Sequence, residues 1–101
     1  FLNHPNPFDP ALGPTGFYFR STHGEVPFGR IRIFTLAGRL IWQGSGSGEG
    51  GLVWNGRDAE GDEVANGVYI AQVEVNGQVT TQAGRTVKKT VSREAKLVVS
   101  R

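Results

Sequence analysis

The chain has 101 residues, of which 38% are hydrophobic and 20% are charged, and its formal net charge at pH 7 is +2. This length gives room for one small domain, and this composition is not that of a disordered chain. The absence of cysteine excludes thiol catalysis, cysteine-ligated metals and disulfides, and the small net charge gives no argument for nucleic-acid binding. No apolar run is long enough for a membrane-spanning helix, so we expect no membrane insertion.

The first fifteen residues, FLNHPNPFDPALGPT, contain four of the five prolines. Proline donates no backbone hydrogen bond and favours extended geometry in the residue before it. Residues 1–15 are therefore predicted to be an extended lead-in that includes a first edge strand, and residues 16–101 to form the domain. Phe1, Leu2 and Phe8 are apolar enough to dock part of the lead-in on that domain.

Short strands separated by turn signals follow along the chain. The clearest is residues 28–36, where Ile31 and Ile33 alternate with Arg30 and Arg32. Further strands are predicted at residues 16–21, 39–43, 52–56, 67–76, 78–91 and 94–100. No segment has a sustained helical period, so the sequence predicts an all-β, seven-stranded antiparallel β-sandwich of the immunoglobulin or fibronectin-III type. Its core is expected to contain Phe34, Trp42, Trp54 and Tyr69, together with the Ile and Val faces of the strands.

Three connections are predicted from glycine and asparagine. Ala37-Gly38 reads as a turn in which Gly38 is the left-handed residue, and Asn76-Gly77 reads as a hairpin turn. The segment GSGSGEGG at residues 44–51 has the composition of a flexible loop. A phosphate-binding loop is rejected there, because neither Lys-Ser/Thr nor a helix start follows it.

Little in the sequence indicates catalysis or a cofactor. His4 and His23 are isolated in loop-like surroundings, and we expect no enzyme activity and no cofactor. Asp58, Glu60 and Asp62 alternate around a glycine, which would suit a hard cation, but a turn in which Asp58 caps backbone N–H groups is favoured over a metal site.

The charges are unevenly distributed along the chain. Residues 58–63 are acidic, whereas residues 85–101 carry six Lys and Arg residues against Glu94 alone. The basic segment could favour an acidic partner or an anionic envelope surface, and a solvated strand face protected by charges is the alternative.

Four segments, in the same order, resemble the C-terminal sorting domain of Bacteroidetes type IX secretion cargo. The domain's N-P-N-P-F start is similar to NHPNPF at residues 3–8, and its first hairpin is similar to IRIFTLAGRLI at 31–41. Its W-D-G motif resembles WNGRDAEGDEVANGVYIAQVEV at 54–75, and its closing strand resembles AKLVVSR at 95–101. Thr35 stands where most members have Asp, which favours the branch found at the end of the system's own sortase, a gingipain-related cysteine protease. Residues 77–93 match no pattern of the family.

The resemblance implies an immunoglobulin-like, non-catalytic module that directs or retains its parent protein at the cell surface, reached through the periplasm. The implied partners are the translocon and an outer-membrane shuttle barrel, and the chain is expected to be a monomer in isolation. The chain begins at Phe1 and carries no signal-peptide pattern, so we expect it to be a piece of a longer polypeptide whose catalytic residues, if any, lie upstream. A hook-capping-like structural module and a carbohydrate-binding module that uses Trp42 and Trp54 are the alternatives.

The expected site residues fall into two groups. The first group is expected to build the fold, and it comprises Gly38, Arg39, Trp54, Gly56, Asp58, Gly61, Gly67 and Tyr69. The second group is the end of the terminal strand, which could offer its backbone to a partner by strand addition. It comprises Lys96, Leu97, Val98, Val99, Ser100 and Arg101.

Overall fold

The computed structural model describes residues 1–19, 28–80 and 82–101, with only the backbone described at 49–50, 76–80 and 86–89. Within these residues the chain is all-β, which confirms the predicted class, and it contains no helix that could cross a membrane. The strands are β1 (Leu2–His4), β2 (Thr15–Tyr18), β3 (Phe28–Thr35), β4 (Leu40–Ser47), β5 (Glu49–Trp54), β6 (Gly67–Thr80) and β7 (Thr86–Val99).

The seven strands form two antiparallel sheets, which is consistent with the predicted β-sandwich. The first sheet has three strands in the order β1-β2-β5, and the second has four in the order β4-β3-β6-β7. One cluster of buried side chains draws on both sheets, with Phe17 and Leu52 from the first and Ile31, Ile33 and Leu97 from the second. The core therefore lies between the two sheets.

Period-2 alternation decides which residues of β3 and β6 enter the core. Ile31 and Ile33 are fully buried in β3, whereas Arg30 on the opposite side is exposed, as the sequence predicts. Ala71 and Val73 are buried in the same way in β6. The expectation that Phe34 lies in the core is wrong, because Phe34 directly follows Ile33 and alternation places it on the other side of the sheet, where it is half-buried.

Trp54 is the aromatic centre of this core. It is completely buried. The centroid of its ring lies 5.7 Å from the ring centroid of Phe8, 6.0 Å from that of Tyr69 and 6.2 Å from that of Trp42. Its indole N–H donates a 2.8 Å hydrogen bond to the carbonyl oxygen of Arg57, so its polar atom is satisfied. Phe8 is 2% exposed, so the lead-in docks on the domain as expected, whereas Leu2 is exposed.

The prediction of a flexible loop at residues 44–51 is wrong, because this segment belongs to β4 and β5 except at Gly48. Gly44 and Gly46 pair with β3 as ordinary strand residues. A Cβ atom at Gly46 would overlap the carbonyl oxygen of Gly51, so the glycines allow β4 and β5 to approach closely. Composition alone does not distinguish this use of glycine from a flexible linker.

The predicted hairpin at Asn76-Gly77 is also wrong. β6 continues through both residues to Thr80, and β7 is a single strand that pairs with it from Thr86 to Val99. The separate strands predicted at 78–91 and 94–100 are therefore joined, and the turn lies at residues 82–84, where Gly84 has a φ of +77°. Continuous pairing of two long strands outweighs the local turn preference of Asn-Gly.

Part of the predicted strand at 16–21 lies in β2, which ends at Tyr18, and its residues 20–21 lie outside the described residues. The predicted turn at Ala37-Gly38 is confirmed, because Gly38 has a φ of +90° and its N–H donates a hydrogen bond to the carbonyl oxygen of Thr35.

Candidate functional site

The end of β7 has two kinds of side chain. Leu97 and Val99 are 0% and 1% exposed and belong to the core. Lys96 and Ser100 are exposed, and Val98 is half-buried on the side facing away from the core. Of the residues expected to bind a partner in this strand, Leu97 and Val99 therefore hold the strand in place, and the other side chains remain accessible.

The N-terminal lead-in covers the outer backbone edge of β7. The Asn6 amide donates to the carbonyl oxygen of Lys96 at 2.8 Å, and its oxygen accepts from the N–H of Val98 at 3.0 Å. Phe8 continues the contact in parallel, donating to the carbonyl oxygen of Val98 at 3.0 Å and accepting from the N–H of Ser100 at 2.9 Å. The lead-in thus acts as a short additional strand beside the end of β7.

This covering bears on the expected strand addition. The backbone groups of Lys96, Val98 and Ser100 that point away from β6 are already paired with Asn6 and Phe8. A partner strand at this end of β7 would have to displace the lead-in, which would expose the buried ring of Phe8. The accessible side chains are therefore a better route to a partner here than the backbone.

Arg101 fastens the end of the chain to the loop between β5 and β6. Its backbone N–H donates to the side-chain oxygen of Asn66 at 3.0 Å. Its guanidinium donates to the carbonyl oxygen of Val64, and at 3.4 Å to that of Gly56. Because guanidinium is a forked donor, one side chain joins two points of the loop.

Tyr69 lies beneath this loop and braces it from the core. Its ring is 8% exposed, and its hydroxyl donates a 2.6 Å hydrogen bond to the carbonyl oxygen of Ala65. Burial raises the pKa of the Tyr69 hydroxyl above its usual value, and the positive charge of Arg101 opposes that rise. The hydroxyl therefore stays protonated at neutral pH and continues to donate.

The glycines expected to supply backbone geometry lie in turns or at a strand end. Gly56 is the most constrained of them, because its φ is +79° and a Cβ atom would lie 2.7 Å from the Pro10 side chain. Gly38 is in the β3–β4 turn, Gly61 is in the β5–β6 loop and Gly67 opens β6. Arg39 is exposed beside the β3–β4 turn, where its N–H bonds to the Thr35 hydroxyl at 3.1 Å.

The acidic loop forms the turn that the sequence favours. The Asp58 carboxylate accepts hydrogen bonds from the N–H groups of Glu60 and Asp62, both at 3.0 Å. Carboxylate atoms of these three residues lie within 4.8 Å of one another. Capping of the turn accounts for the position of Asp58, and the other two carboxylates are exposed, as acidic side chains on turns commonly are.

His4 lies exposed in β1, and His23 lies outside the described residues. Sequence reasoning picked out the NPNPF-like start and the terminal strand as separate segments, but it missed that Asn6 binds β7. The available signal was the asparagine between two prolines, because prolines leave the neighbouring backbone short of donors and favour a side-chain amide as the bonding group.

Comparison with known proteins found no matching family model, no matching curated protein and no matching solved structure.

Proposed function

We propose that this chain is a sorting domain of the type IX secretion system, a non-catalytic module that directs its parent protein to the cell surface or retains it there. The observation that carries the proposal is that sequence segments bearing the resemblance meet in space. Asn6 and Phe8 of the NHPNPF segment bind the end of β7, which is the AKLVVSR segment. Arg101 then binds Val64 and Gly56 of the WNG segment.

We also assign the sandwich to the immunoglobulin or fibronectin-III type. The sheet β1-β2-β5 and the sheet β4-β3-β6-β7 support this assignment. In immunoglobulin-like sandwiches the first, second and fifth strands share one sheet, and an additional strand can join the sheet of the third, sixth and seventh. The position of β4 beside β3 fits that arrangement.

In this proposal the domain docks on the translocon and an outer-membrane shuttle barrel after its parent has reached the periplasm. The outward side chains Lys96, Val98 and Ser100 make the contact, while Leu97 and Val99 fix the strand that presents them. Resemblance to the sortase branch points to a parent that is a gingipain-related cysteine protease and keeps this domain at the surface.

The test is a localisation assay in a bacterium that has a type IX system. Residues 1–101 are fused to the C-terminus of a periplasm-targeted fluorescent reporter, with a translocon-disabled strain as the control. The expected result is reporter accessible at the cell surface in the first strain and confined to the periplasm in the second. Folded reporter that stays in the periplasm of both strains would contradict the proposal.

The design of variants follows from the burial of the terminal strand. Deleting residues 96–101 would remove Leu97 and Val99 from the core, so a loss of export would not separate signalling from unfolding. The substitution Lys96→Glu changes an exposed side chain instead and should reduce surface delivery without altering stability. Thermal unfolding of the purified variant checks the second condition.

The alternative of carbohydrate binding through Trp42 and Trp54 finds no support in the packing. Trp54 is completely buried, and Trp42 is half-buried against the core with its ring 6.2 Å from that of Trp54. Stacking on a sugar needs an exposed ring face, whereas these two rings pack against the core and against each other.

A further inference from the structure

The outer edge of β7 is covered along only part of its length. β7 is the last strand of the four-stranded sheet, beside β6, and the lead-in pairs with its end from Lys96 to Ser100. The lead-in covers no more of this edge, because Leu2–His4 form β1, which pairs with β2 in the other sheet. The part of β7 before Lys96 therefore has no strand on its outer side among the strands that the structure describes.

The covered part of β7 fixes the direction of the backbone groups in the uncovered part. The N–H and carbonyl groups of Val98 point away from β6, since both bond to the lead-in. Backbone groups alternate along a strand, and β6 and β7 pair without a register shift. The N–H and carbonyl groups of Ser92 and Glu94 therefore also point outward. Within the described residues, the one hydrogen bond to these outward groups runs from the Arg93 guanidinium to the carbonyl oxygen of Ser92, at 3.0 Å.

The far end of the β6–β7 pair extends past the rest of the sheet. The described pairing of β3 with β6 ends at Phe28 and Asn76, whereas β6 and β7 continue to pair as far as Thr80 and Thr86. This end is therefore a two-stranded ribbon within the described part of the chain. Two strands alone are only marginally stable in water, so a third strand along the edge of β7 would stabilise this end.

The same part of the hairpin is basic and has no carboxylate. Residues 75–93 contain neither Asp nor Glu, and they are called the basic hairpin. Its basic residues are Arg85, Lys88, Lys89 and Arg93. Arg85 and Arg93 are exposed, and the residues paired directly with Lys88 and Lys89 on β6 are uncharged. The uncovered edge of β7 therefore runs through a positively charged segment.

We propose that the uncovered edge of β7 binds an extended, acidic segment of a partner protein by strand addition. The segment pairs its backbone with the outward groups of Ser92 and Glu94, as the lead-in pairs with those of Val98. Its carboxylates lie beside the basic hairpin, which supplies no carboxylate of its own. Since Glu94 directly follows the hairpin, the acidic residues of the segment belong beside residues 85–93.

Other occupants fit this edge less well. A second copy of the chain would bring a second basic hairpin alongside the first, and like charges would oppose the pairing. Positive charge on edge strands commonly prevents such self-pairing. An anionic lipid surface would meet the charges, but it has no strand to pair with the outward backbone groups of Ser92 and Glu94.

This inference goes beyond the proposed function and does not depend on it. The lead-in blocks the strand addition expected at residues 96–101, and the uncovered edge offers the same kind of contact earlier on the same strand. In the setting of the proposed function, the exposed Lys96 side chain directly follows this edge, so one partner can engage both.

The test uses the 101-residue chain and three synthetic peptides that alternate threonine with a charged residue. One peptide carries glutamate and the second carries lysine. The third is the glutamate peptide with every backbone nitrogen methylated, which keeps its charge and removes its N–H donors. In NMR titrations the glutamate peptide should bind at least about 10-fold more tightly than either of the others, and its binding should weaken as salt is raised.

Amide hydrogen exchange locates the contact. The N–H groups of Ser92 and Glu94 should exchange more slowly when the glutamate peptide is bound, because they then donate to its carbonyl oxygens. The N–H of Val53, in the other sheet, should show no change.

Matched variants at Ser92 separate the backbone contact from the side chain. Ser92→Pro removes an N–H that points away from β6, so the pairing of β6 with β7 is kept. It should weaken binding of the glutamate peptide by about 3- to 10-fold. Ser92→Ala keeps that N–H and should leave the affinity unchanged. Thermal unfolding checks that Ser92→Pro folds, and the methylated peptide tests the same backbone contact on the unmodified chain.

A second pair of variants tests the charge. Arg93→Glu places a carboxylate in the basic hairpin and should weaken binding of the glutamate peptide by about 3-fold or more. Arg39→Glu is the control, because Arg39 is exposed beside the β3–β4 turn, at the opposite end of the sheet from the two-stranded ribbon. It should leave the affinity unchanged.

Several results would overturn the proposal. Equal binding of the glutamate and methylated peptides would show that the backbone makes no contact, and equal binding of the glutamate and lysine peptides would show that charge does not select the partner. Binding to anionic phosphatidylglycerol vesicles but not to the glutamate peptide would identify a lipid surface instead. Dimerisation lost in Ser92→Pro, without peptide binding, would identify a second copy. Peptide binding without surface delivery of the fused reporter would contradict only the secretion proposal.

Discussion

Replacing Asn6 by alanine should release the outer edge of β7 without disturbing the core. The Asn6 side chain makes two hydrogen bonds across the boundary between the two ends of the chain, at 2.8 Å to the carbonyl oxygen of Lys96 and at 3.0 Å from the N–H of Val98. Each such bond contributes about 0.5–1.5 kcal/mol net. The free energy of unfolding of the variant is therefore expected to fall by about 1–3 kcal/mol, which lowers Tm by roughly 4–24 °C in a domain of about 100 residues.

Urea denaturation measures the loss, and amide hydrogen exchange locates it. In Asn6→Ala the N–H of Val98 loses its acceptor and should exchange faster, and the Ser100 N–H, bonded to Phe8, should follow. The matched control is Asn55→Ala, which removes one local hydrogen bond of 3.0 Å to the N–H of Arg57.

Asn55→Ala is expected to lower the free energy of unfolding by less than Asn6→Ala does, and to leave amide hydrogen exchange at Val98 unchanged. If Asn6→Ala were as stable as the unmodified chain and the Val98 N–H kept its protection from exchange, the lead-in would not hold the strand.

Two further predictions concern the glycine-rich segment and the buried tyrosine. Gly46→Ala should lower the free energy of unfolding, measured by urea denaturation, by about 1–3 kcal/mol, because the added Cβ overlaps the backbone of Gly51. The control Ser45→Ala should change the free energy of unfolding by no more than about 0.5 kcal/mol. Since burial raises the pKa of Tyr69 above 10.0, its contribution to stability is complete below pH 10 and declines above it, where the unfolded chain ionises first. Ultraviolet titration of tyrosinate in a Tyr18→Phe variant isolates Tyr69, and ionisation at or below pH 10 would contradict the prediction.

The alternation of apolar and polar residues along the strands allowed much of the fold to be predicted from the sequence. Ile31 and Ile33 between arginines specify a strand with one buried face, and the structure has that strand at the centre of the four-stranded sheet. The signal is strong because burial of one face decides the register of the strand on its own.

The errors came from glycine and asparagine, whose local preferences are weak. Residues 44–51 have the composition of a linker, yet Gly46 is needed because the backbones of β4 and β5 approach each other closely there. That requirement comes from the position of Gly51 in the folded chain, which the local sequence does not indicate. Asn76-Gly77 has the signature of a hairpin, but pairing along the whole of β6 and β7 gives more hydrogen bonds than an early turn would.

Only the segment that forms the candidate site was predicted from the sequence, and its binding role stays a prediction. The terminal strand was expected to contact a partner, and the structure divides it into Leu97 and Val99 in the core and Lys96 and Val98 outside. Its pairing with Asn6, ninety positions away along the chain, follows from tertiary folding, so the local sequence shows an asparagine between two prolines but not the strand that it binds.

The parallel contact between the lead-in and β7 also has a mechanical consequence. Asn6 and Phe8 run in the same direction as the end of β7 and share four hydrogen bonds with it. A force applied between Phe1 and Arg101 would pull these two segments past each other in shear, so that all four bonds bear the load together. Opening the pair from one end, as in peeling, would break them one at a time at lower force. The fold is therefore arranged to resist tension between the ends of this chain.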